Sequence, residues 1–180
     1  MTDRLQLRAL RRPEDDDALA QFLGDNEWPF HMRPRPTQAD AARRIADGRY
    51  DQPGNAAFWI TLKDQRIGFA ALEDLDDDTP LFDLRLALDA RGRGFGVRIL
   101  QLLTREVFER SPEARRFEGQ TREDNVAMRK TFLRAGWVKE AHYREAWPVE
   151  GSDPVASVAY AILRRDWETG MTTPVPWGDE

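Results

Sequence analysis

Leu81 to Val107, LFDLRLALDARGRGFGVRILQLLTREV, divides into a strand, a turn rich in glycine and arginine, and a helix. Phe82, Leu84, Leu86 and Leu88 alternate at period two, the pattern of a half-buried strand. Val97, Leu100, Leu103, Thr104 and Val107 recur at intervals of three and four, the pattern of a core-facing helix. Between them stand Arg91, Gly92, Arg93, Gly94, Phe95 and Gly96. Glycines without Cβ let a ligand approach the backbone, and a loop entering a helix presents N–H groups that no helical carbonyl can take. With the helix dipole and two arginines, those amides make an anion site suited to a diphosphate. Taken alone, the loop also reads as an ordinary glycine-rich turn with surface arginines.

The dinucleotide fingerprint needs glycines at spacings of two and three; Gly92 and Gly94 satisfy the first, but Val97 occupies the next required position. No Gly-Lys-Ser/Thr is present for a Walker loop. The match is to Arg91-x-x-Gly94-x-Gly96, closing a strand and opening a helix.

A chain of 180 residues suffices for one sizeable core, so a single domain is expected. No apolar run is long enough for a membrane span, and no signal peptide or internal repeat is found, so the expectation is a cytoplasmic protein with no membrane partner. The absence of cysteine removes disulfides, thiolate nucleophiles and most zinc sites, and two histidines, His31 and His142, exclude a histidine-rich metal cluster. No metal is therefore expected. The net charge of −5 speaks against nucleic acid and for a cationic partner.

In chain order, Leu5, Leu7 and Leu10 predict a first strand. Pro13, Glu14 and the aspartates after them predict a solvated helix start, with Gly24 as the stop. The loop DNEWPFHMRPRP, Asp25 to Pro36, follows; Thr37 then caps a second helix, with Asp40 three residues on. Ala57–Leu62 and Arg66–Leu72 predict two strands joined at Lys63-Asp64-Gln65, and an acidic turn leads into the strand at Leu81. After the long helix, Arg116–Thr121 predicts a fifth strand, parallel to the fourth through a right-handed crossover. Val126–Ala135 predicts a helix stopped by Gly136, and two long strands follow around the turn from Glu150 to Pro154. The resulting order is β-α-α-β-β-β-α-β-α-β-β.

That order, with the loop at Arg91–Gly96 and with Asn125, Phe132, Gly136 and Trp137 at the family's spacing, resembles the GNAT N-acetyltransferase superfamily. Glu118-x-x-Thr121-x-x-x-Asn125 and the ending Tyr160–Leu163 with Asp166-Trp167 are similar to its RimJ/RimL-type branch. The resemblance covers residues 3 to 168, which implies one acetyltransferase domain at 1–168 and a tail at 169–180. It implies an α/β fold with a mixed, mostly antiparallel sheet of about seven strands, helices on both faces, and fourth and fifth strands that are parallel and splay apart after a bulge. It further implies acetyl-CoA as cosubstrate, its diphosphate on the loop amides and its pantetheine arm along Leu84 to Leu86, where unpaired strand groups need partners.

The activity so implied is direct acetyl transfer to the primary amine of a small molecule or a protein N-terminus; a homodimer is a possible assembly. The cofactor-binding set is Leu84, Leu86, Arg91, Arg93, Gly94, Phe95, Gly96, Asn125 and Phe132. An attacking amine must lose its proton to a base. Glu118 is the first candidate, or else a surface strand carboxylate; Asp83 and Glu73 come after it. Phe132 stands where the family often has a proton-donating tyrosine, which leaves Tyr143 or water as the acid and keeps open a CoA-binding sensor without turnover. An unrelated phosphate-binding module is the remaining alternative. Trp28, Phe30 and His31 are expected either to border the acceptor or to cap the core edge.

Overall fold

The computed structural model describes residues 4–178, so the first three residues of the expected domain and the last two of the expected tail lie outside the described residues. Strand β1 (Leu5–Ala9) is followed by helices α1 (Asp16–Gly24) and α2 (Gln38–Ala46). Strands β2 (Ala56–Leu62), β3 (Gln65–Glu73) and β4 (Leu81–Leu86) then lead to helix α3 (Phe95–Arg110). The chain continues with β5 (Arg116–Arg122), α4 (Val126–Arg134), β6 (Val138–Val149), β7 (Ser152–Leu163) and α5 (Arg164–Thr169). Among the described residues, no helix is long and apolar enough to cross a membrane.

Antiparallel pairing builds one sheet in the order β1-β2-β3-β4 and a second in the order β5-β7-β6. Side chains of a strand alternate between faces, and the core divides accordingly. Phe58, Ile60, Ala70 and Leu72 join Ile99, Leu100, Leu103 and Val107 of α3 on one side. Ala57, Trp59, Phe69 and Ala71 join Leu19 and Leu23 of α1 and Ile45 of α2 on the other. The expected helices on both faces follow from that partition. The β2–β3 turn is tight because Lys63 and Asp64 both take positive φ, as a two-residue hairpin requires.

Among the described residues, backbone hydrogen bonds join the two sheets only where β4 and β5 begin. Arg116 N–H donates to Asp78 O at 3.3 Å and Glu118 N–H to Pro80 O at 3.1 Å, each step advancing two residues on both segments, as parallel strands do. Beyond that point the strands part. The parting has no bulge behind it in β4, contrary to expectation: β3 and β4 stay in continuous register from Gly68↔Leu86 to Glu73↔Leu81. An aromatic wedge occupies the fork instead. Phe82 lies 5.3 Å from Phe117, 5.8 Å from Trp137 and 6.1 Å from Phe132, ring to ring. Gly119 makes room for it, since a Cβ there would stand 2.8 Å from Phe132 Cζ and closer still to Phe82.

Two further expectations change. Leu88 leaves the strand face and lies 73% exposed in a 3-10 turn at Leu88–Ala90. The acidic start of α1 is not wholly solvated, because Asp15 is only 2% exposed. It accepts from Arg66 at 2.7 Å, Arg8 at 3.2 Å and the Arg11 N–H at 3.0 Å. Burial pushes its pKa up, but the Arg11 amide and the two guanidinium groups outweigh burial and hold it below the usual carboxylate value. At the other end, Thr173 binds Asp166 through its N–H at 3.0 Å and its hydroxyl at 2.6 Å, so the expected tail is fastened to α5 as far as Thr173.

Gly119→Ala is expected to cost about 1–3 kcal/mol by overpacking. Denaturant melts should show Phe82→Leu recovering part of that loss in the double variant; additive losses would mean the wedge does not press on Gly119. Asp15→Asn is expected to cost about 1–3 kcal/mol near neutral pH through weakened charge-assisted bonds. A carboxylate with a depressed native pKa stabilises fully above its unfolded pKa, about 3.9. The gap between wild type and Asp15→Asn should therefore close as pH falls below that value, and a pH-independent gap would remove the ionised carboxylate as its cause.

Candidate active site

Because β4 and β5 diverge, a cleft opens between the sheets, and it has two lobes. One, about 410 Å³, lies over the glycine loop. The other, about 480 Å³, lies between β4, β5 and the segment after Trp28. Phe30, His31, Leu84, Arg85, Asn125 and Met128 line both and mark where the lobes meet.

The loop lobe begins at the N-terminus of α3. Gly94 caps that helix with φ +79°, a left-handed conformation that glycine adopts without steric cost. No side chain caps the first turn and no acid stands in it, so its amides and the positive end of the dipole remain available to an anion. A Cβ on Gly94 would meet nothing within 4 Å, so the space above the loop is open. Lys130, Thr131 and Arg134 of α4 line the same lobe, and Lys130 and Arg134 form no ion pair or hydrogen bond among the described residues. An uncapped helix start with two free cations beside it fits a nucleotide diphosphate. The sequence analysis missed this pair; the four-residue spacing of Lys130 and Arg134 on one helix was the signal.

Several expected ligands of the loop have other roles. Arg91 donates to Leu86 O at 2.8 Å and to Glu27 O at 2.6 Å, tying the glycine loop to the segment that carries Trp28. Burial depresses its pKa against the opposing pull of Glu27. Arg93 does not line the lobe and lies 5.1 Å over the Phe95 ring. Gly96 is a packing position as well as a lobe residue, since a Cβ there would stand 3.1 Å from the Thr131 side chain. Leu84, Leu86 and Phe95 line the lobe. Asn125 lines it while capping α4, accepting from Met128 N–H at 3.2 Å and donating to Thr121 at 2.9 Å.

Phe132 corrects the expectation most. It is fully buried, stacked on Tyr160 at 4.8 Å with the rings 6° from parallel, and lines neither lobe. The aromatic wedge at the fork draws it into the core, out of reach of a ligand. Tyr143 is 49% exposed on β6 and also lines neither lobe.

The second lobe receives the aromatic segment. Trp28 lines the loop lobe and not the second; it is 1% exposed, belongs to the core around α1, and its indole N–H donates to Leu23 O at 2.9 Å. Arg85 and Arg91 each stand 5.3 Å from its ring. Phe30 is half-buried and lies under Arg122 of β5 at 5.5 Å, while Arg122 donates to Pro29 O at 3.2 Å. The segment thus spans the cleft from the β4 side to the β5 side. Trp147 of β6 also lines this lobe, whereas the turn at 150–154 lines neither lobe.

Three carboxylates face this lobe. Asp83 takes Arg85 on Oδ2, at 2.9 and 3.0 Å, and His31 Nε2 on Oδ1 at 3.0 Å. Burial pushes its pKa up, but Arg85 and His31 overcome burial and hold it far below the usual range. Glu73 pairs with Arg49 at 2.5 Å; burial raises its pKa in spite of that partner. Glu118 pairs with Arg116 at 2.9 Å and accepts from Gln120 at 3.0 Å.

The glycine loop between β4 and α3 opens onto a cleft at the parting of two parallel strands, and sequence comparison gives this arrangement a family. Residues 4–138 match the acetyltransferase (GNAT) domain, and the chain belongs to that family. Members of the family take the acetyl group from acetyl-CoA, the cosubstrate that the loop lobe fits. Among solved structures, a spermidine N-acetyltransferase from Vibrio cholerae superposes with a TM-score of 0.76 at 16% identity, over 93% of this chain and 99% of the other. The ribosomal L7/L12 alpha-N-protein acetyltransferase RimL gives 0.76 at 19%, over 90% and 95%. The aminoglycoside acetyltransferase AAC(6')-Ib gives 0.73 at 17%, over 92% and 97%. These likenesses concern the fold. No curated protein matches by sequence.

Gly94→Val is expected to weaken acetyl-CoA binding at least tenfold, by filling the open space over the loop, while costing about 1–2 kcal/mol of stability for its left-handed φ. Calorimetry showing unchanged affinity would place the donor elsewhere. Gly96→Val should lower the melting temperature for a different reason, because the Thr131 side chain must move.

Proposed function

We propose that the protein transfers an acetyl group from acetyl-CoA to the primary amine of a small molecule or a protein N-terminus, with the second lobe as the acceptor site. The observation that carries this reading is the meeting of two lobes at Leu84, on a β4 edge that β5 has left unpaired. Acetyl-CoA supplies an activated thioester, and the free β4 edge suits its amide-bearing arm. An amine in the second lobe would stand beside that edge, within a wall made by Phe30, Phe82 and Trp147.

The residues of the chain then have to take a proton from the amine. Asp83 is a poor base, because Arg85 and His31 stabilise its charged form. Glu118 lines the acceptor lobe two residues beyond the first strand-to-strand bond, and Gln120 and Arg116 fix its carboxylate. We assign it the proton-accepting role. Glu73, whose burial raises its basicity, is the second carboxylate of the lobe able to serve. Neither Phe132 nor Tyr143 reaches the lobes, so water is left to meet the departing thiolate.

Glu118→Gln is expected to lower kcat by two orders of magnitude or more, leave acetyl-CoA affinity within twofold, and remove the acidic limb of the pH–rate profile. Measured beside Glu73→Gln, an unaltered profile in Glu118→Gln and a lost limb in Glu73→Gln would transfer the role to Glu73. Release of CoA without any acetylated amine, across amines of every charge type, would sink the transfer reading altogether.

A further inference from the structure

The acceptor lobe carries a charge pattern that selects among amines. Four arginines, Arg33, Arg44, Arg49 and Arg85, and three carboxylates, Glu73, Asp83 and Glu118, line it. Each carboxylate is already engaged: Glu73 by Arg49, Asp83 by Arg85 and His31, Glu118 by Arg116. The side chains of Arg33 and Arg44 form no ion pair or hydrogen bond among the described residues, although both line the lobe. Arg44 projects from α2, and Arg33 from the segment that spans the cleft.

A polyamine or aminoglycoside needs free carboxylates for the cationic groups that do not react. This lobe has none free, and its two unpaired charges repel a second ammonium group. The net charge of −5, which speaks for a cationic partner, is not the charge that an acceptor meets inside the cleft.

We propose that the acceptor is an amine that also carries an oxyanion, and that Arg44 and Arg33 anchor the oxyanion. The inference rests on the acetyl-transfer reading and narrows its substrate class. Guanidinium groups hold carboxylate or phosphate through paired, charge-assisted hydrogen bonds, and their planar fork suits either. The apolar stretch of wall at Met32, Phe82 and Trp147 gives the body between amine and oxyanion a surface to lie on. With the anion held at the arginine end, the amine is the one end left to face Leu84 and the donor lobe. A compact molecule fits the lobe's volume of about 480 Å³.

Matched probes test this by calorimetry on the full chain, run with and without saturating CoA. The probes are 6-aminohexanoate against 6-aminohexanamide, L-phenylalanine against L-phenylalaninamide, O-phosphoethanolamine, and spermidine. In at least one matched pair the acid should bind at least tenfold more tightly than its amide, or O-phosphoethanolamine should bind more tightly than every amide. The first result identifies carboxylate as the anchored group, and the second identifies phosphate. Arg44→Met or Arg33→Met should bring the preferred probe down to the level of the amides. Arg43→Met, on the same helix and 3.8 Å from Asp40, should leave it unchanged and so control for damage to α2.

Equal affinities within both pairs with O-phosphoethanolamine no better, no heat from any oxyanion probe, or spermidine binding above all of them would overturn the proposal. A parallel assay of CoA release separates the two levels. Spermidine acetylated while the oxyanion probes stay inert leaves amine acetylation standing and sinks only the arginine anchor. Failure of the chain to bind CoA strikes the donor reading instead, and the titrations without CoA still decide the anchor.

Discussion

Backbone pairing between β4 and β5 ends at the bond from Glu118 N–H to Pro80 O, and the site exists because it ends there. Strand groups left without a partner must find one in water or in a ligand. Parallel strands that begin together would pair along their whole length unless something held them apart. Phe82 does so, wedged against Phe117, Phe132 and Trp137, and it fits because residue 119 has no side chain. The wedge belongs to the larger core cluster, so the opening is held by the same packing that stabilises the domain. A cleft built in this way is a rigid feature of the fold, with no lid needed to form it.

The polar face of β4 depends on the same arrangement. Phe82, Leu84 and Leu86 point to the core around α3, which leaves Asp83 and Arg85 on the opposite face. An alternating strand ordinarily offers such residues to water. Here the segment after α1 folds back over them, places Trp28 against Arg85, and leaves Arg85 only 8% exposed. A buried guanidinium needs an acceptor, and Asp83 supplies one while turning its other oxygen to His31. The aromatic segment and the polar face of β4 thus fix each other, and Arg91 and Arg122 fasten the segment at its two ends.

What was legible in the sequence was whatever depends on neighbours in the chain. The period-two and period-3.6 patterns placed the seven strands and the helices from α1 to α4. Thr37 with Asp40 gave a capping box that is present in full, and the glycine loop opens α3 as expected. What was illegible depends on residues distant in sequence. Asp15 looks like any acidic helix start until Arg8 and Arg66 converge on it. Phe132 carries the spacing of a ligand-contacting residue, but Phe82 and Tyr160 enclose it. Arg91 lines the loop lobe, and its guanidinium also donates to two backbone carbonyls distant from the loop's own amides. The bulge implied by family resemblance is absent from β4, whose register with β3 is continuous, and the aromatic rings around Phe82 stand at the fork.

That contrast separates the two halves of the site. The loop lobe, proposed for the donor, is made of amides, a left-handed glycine and a helix dipole, features that a backbone carries wherever it is built. The likeness to solved structures at 16–19% identity is a likeness of that backbone. The second lobe, proposed for the acceptor, is made of side chains brought together from α2, the aromatic segment, β3, β4, β5 and β6. Each is replaceable without disturbing the sheet, so the shape of the fold places no constraint on the sign of the charge there. Neighbours that share this fold carry names as different as spermidine, aminoglycoside and ribosomal-protein acetyltransferase. The acceptor proposed for this chain has to be argued from its own lobe, where every carboxylate has an ion-pair partner and the side chains of Arg33 and Arg44 have neither ion pair nor hydrogen bond among the described residues.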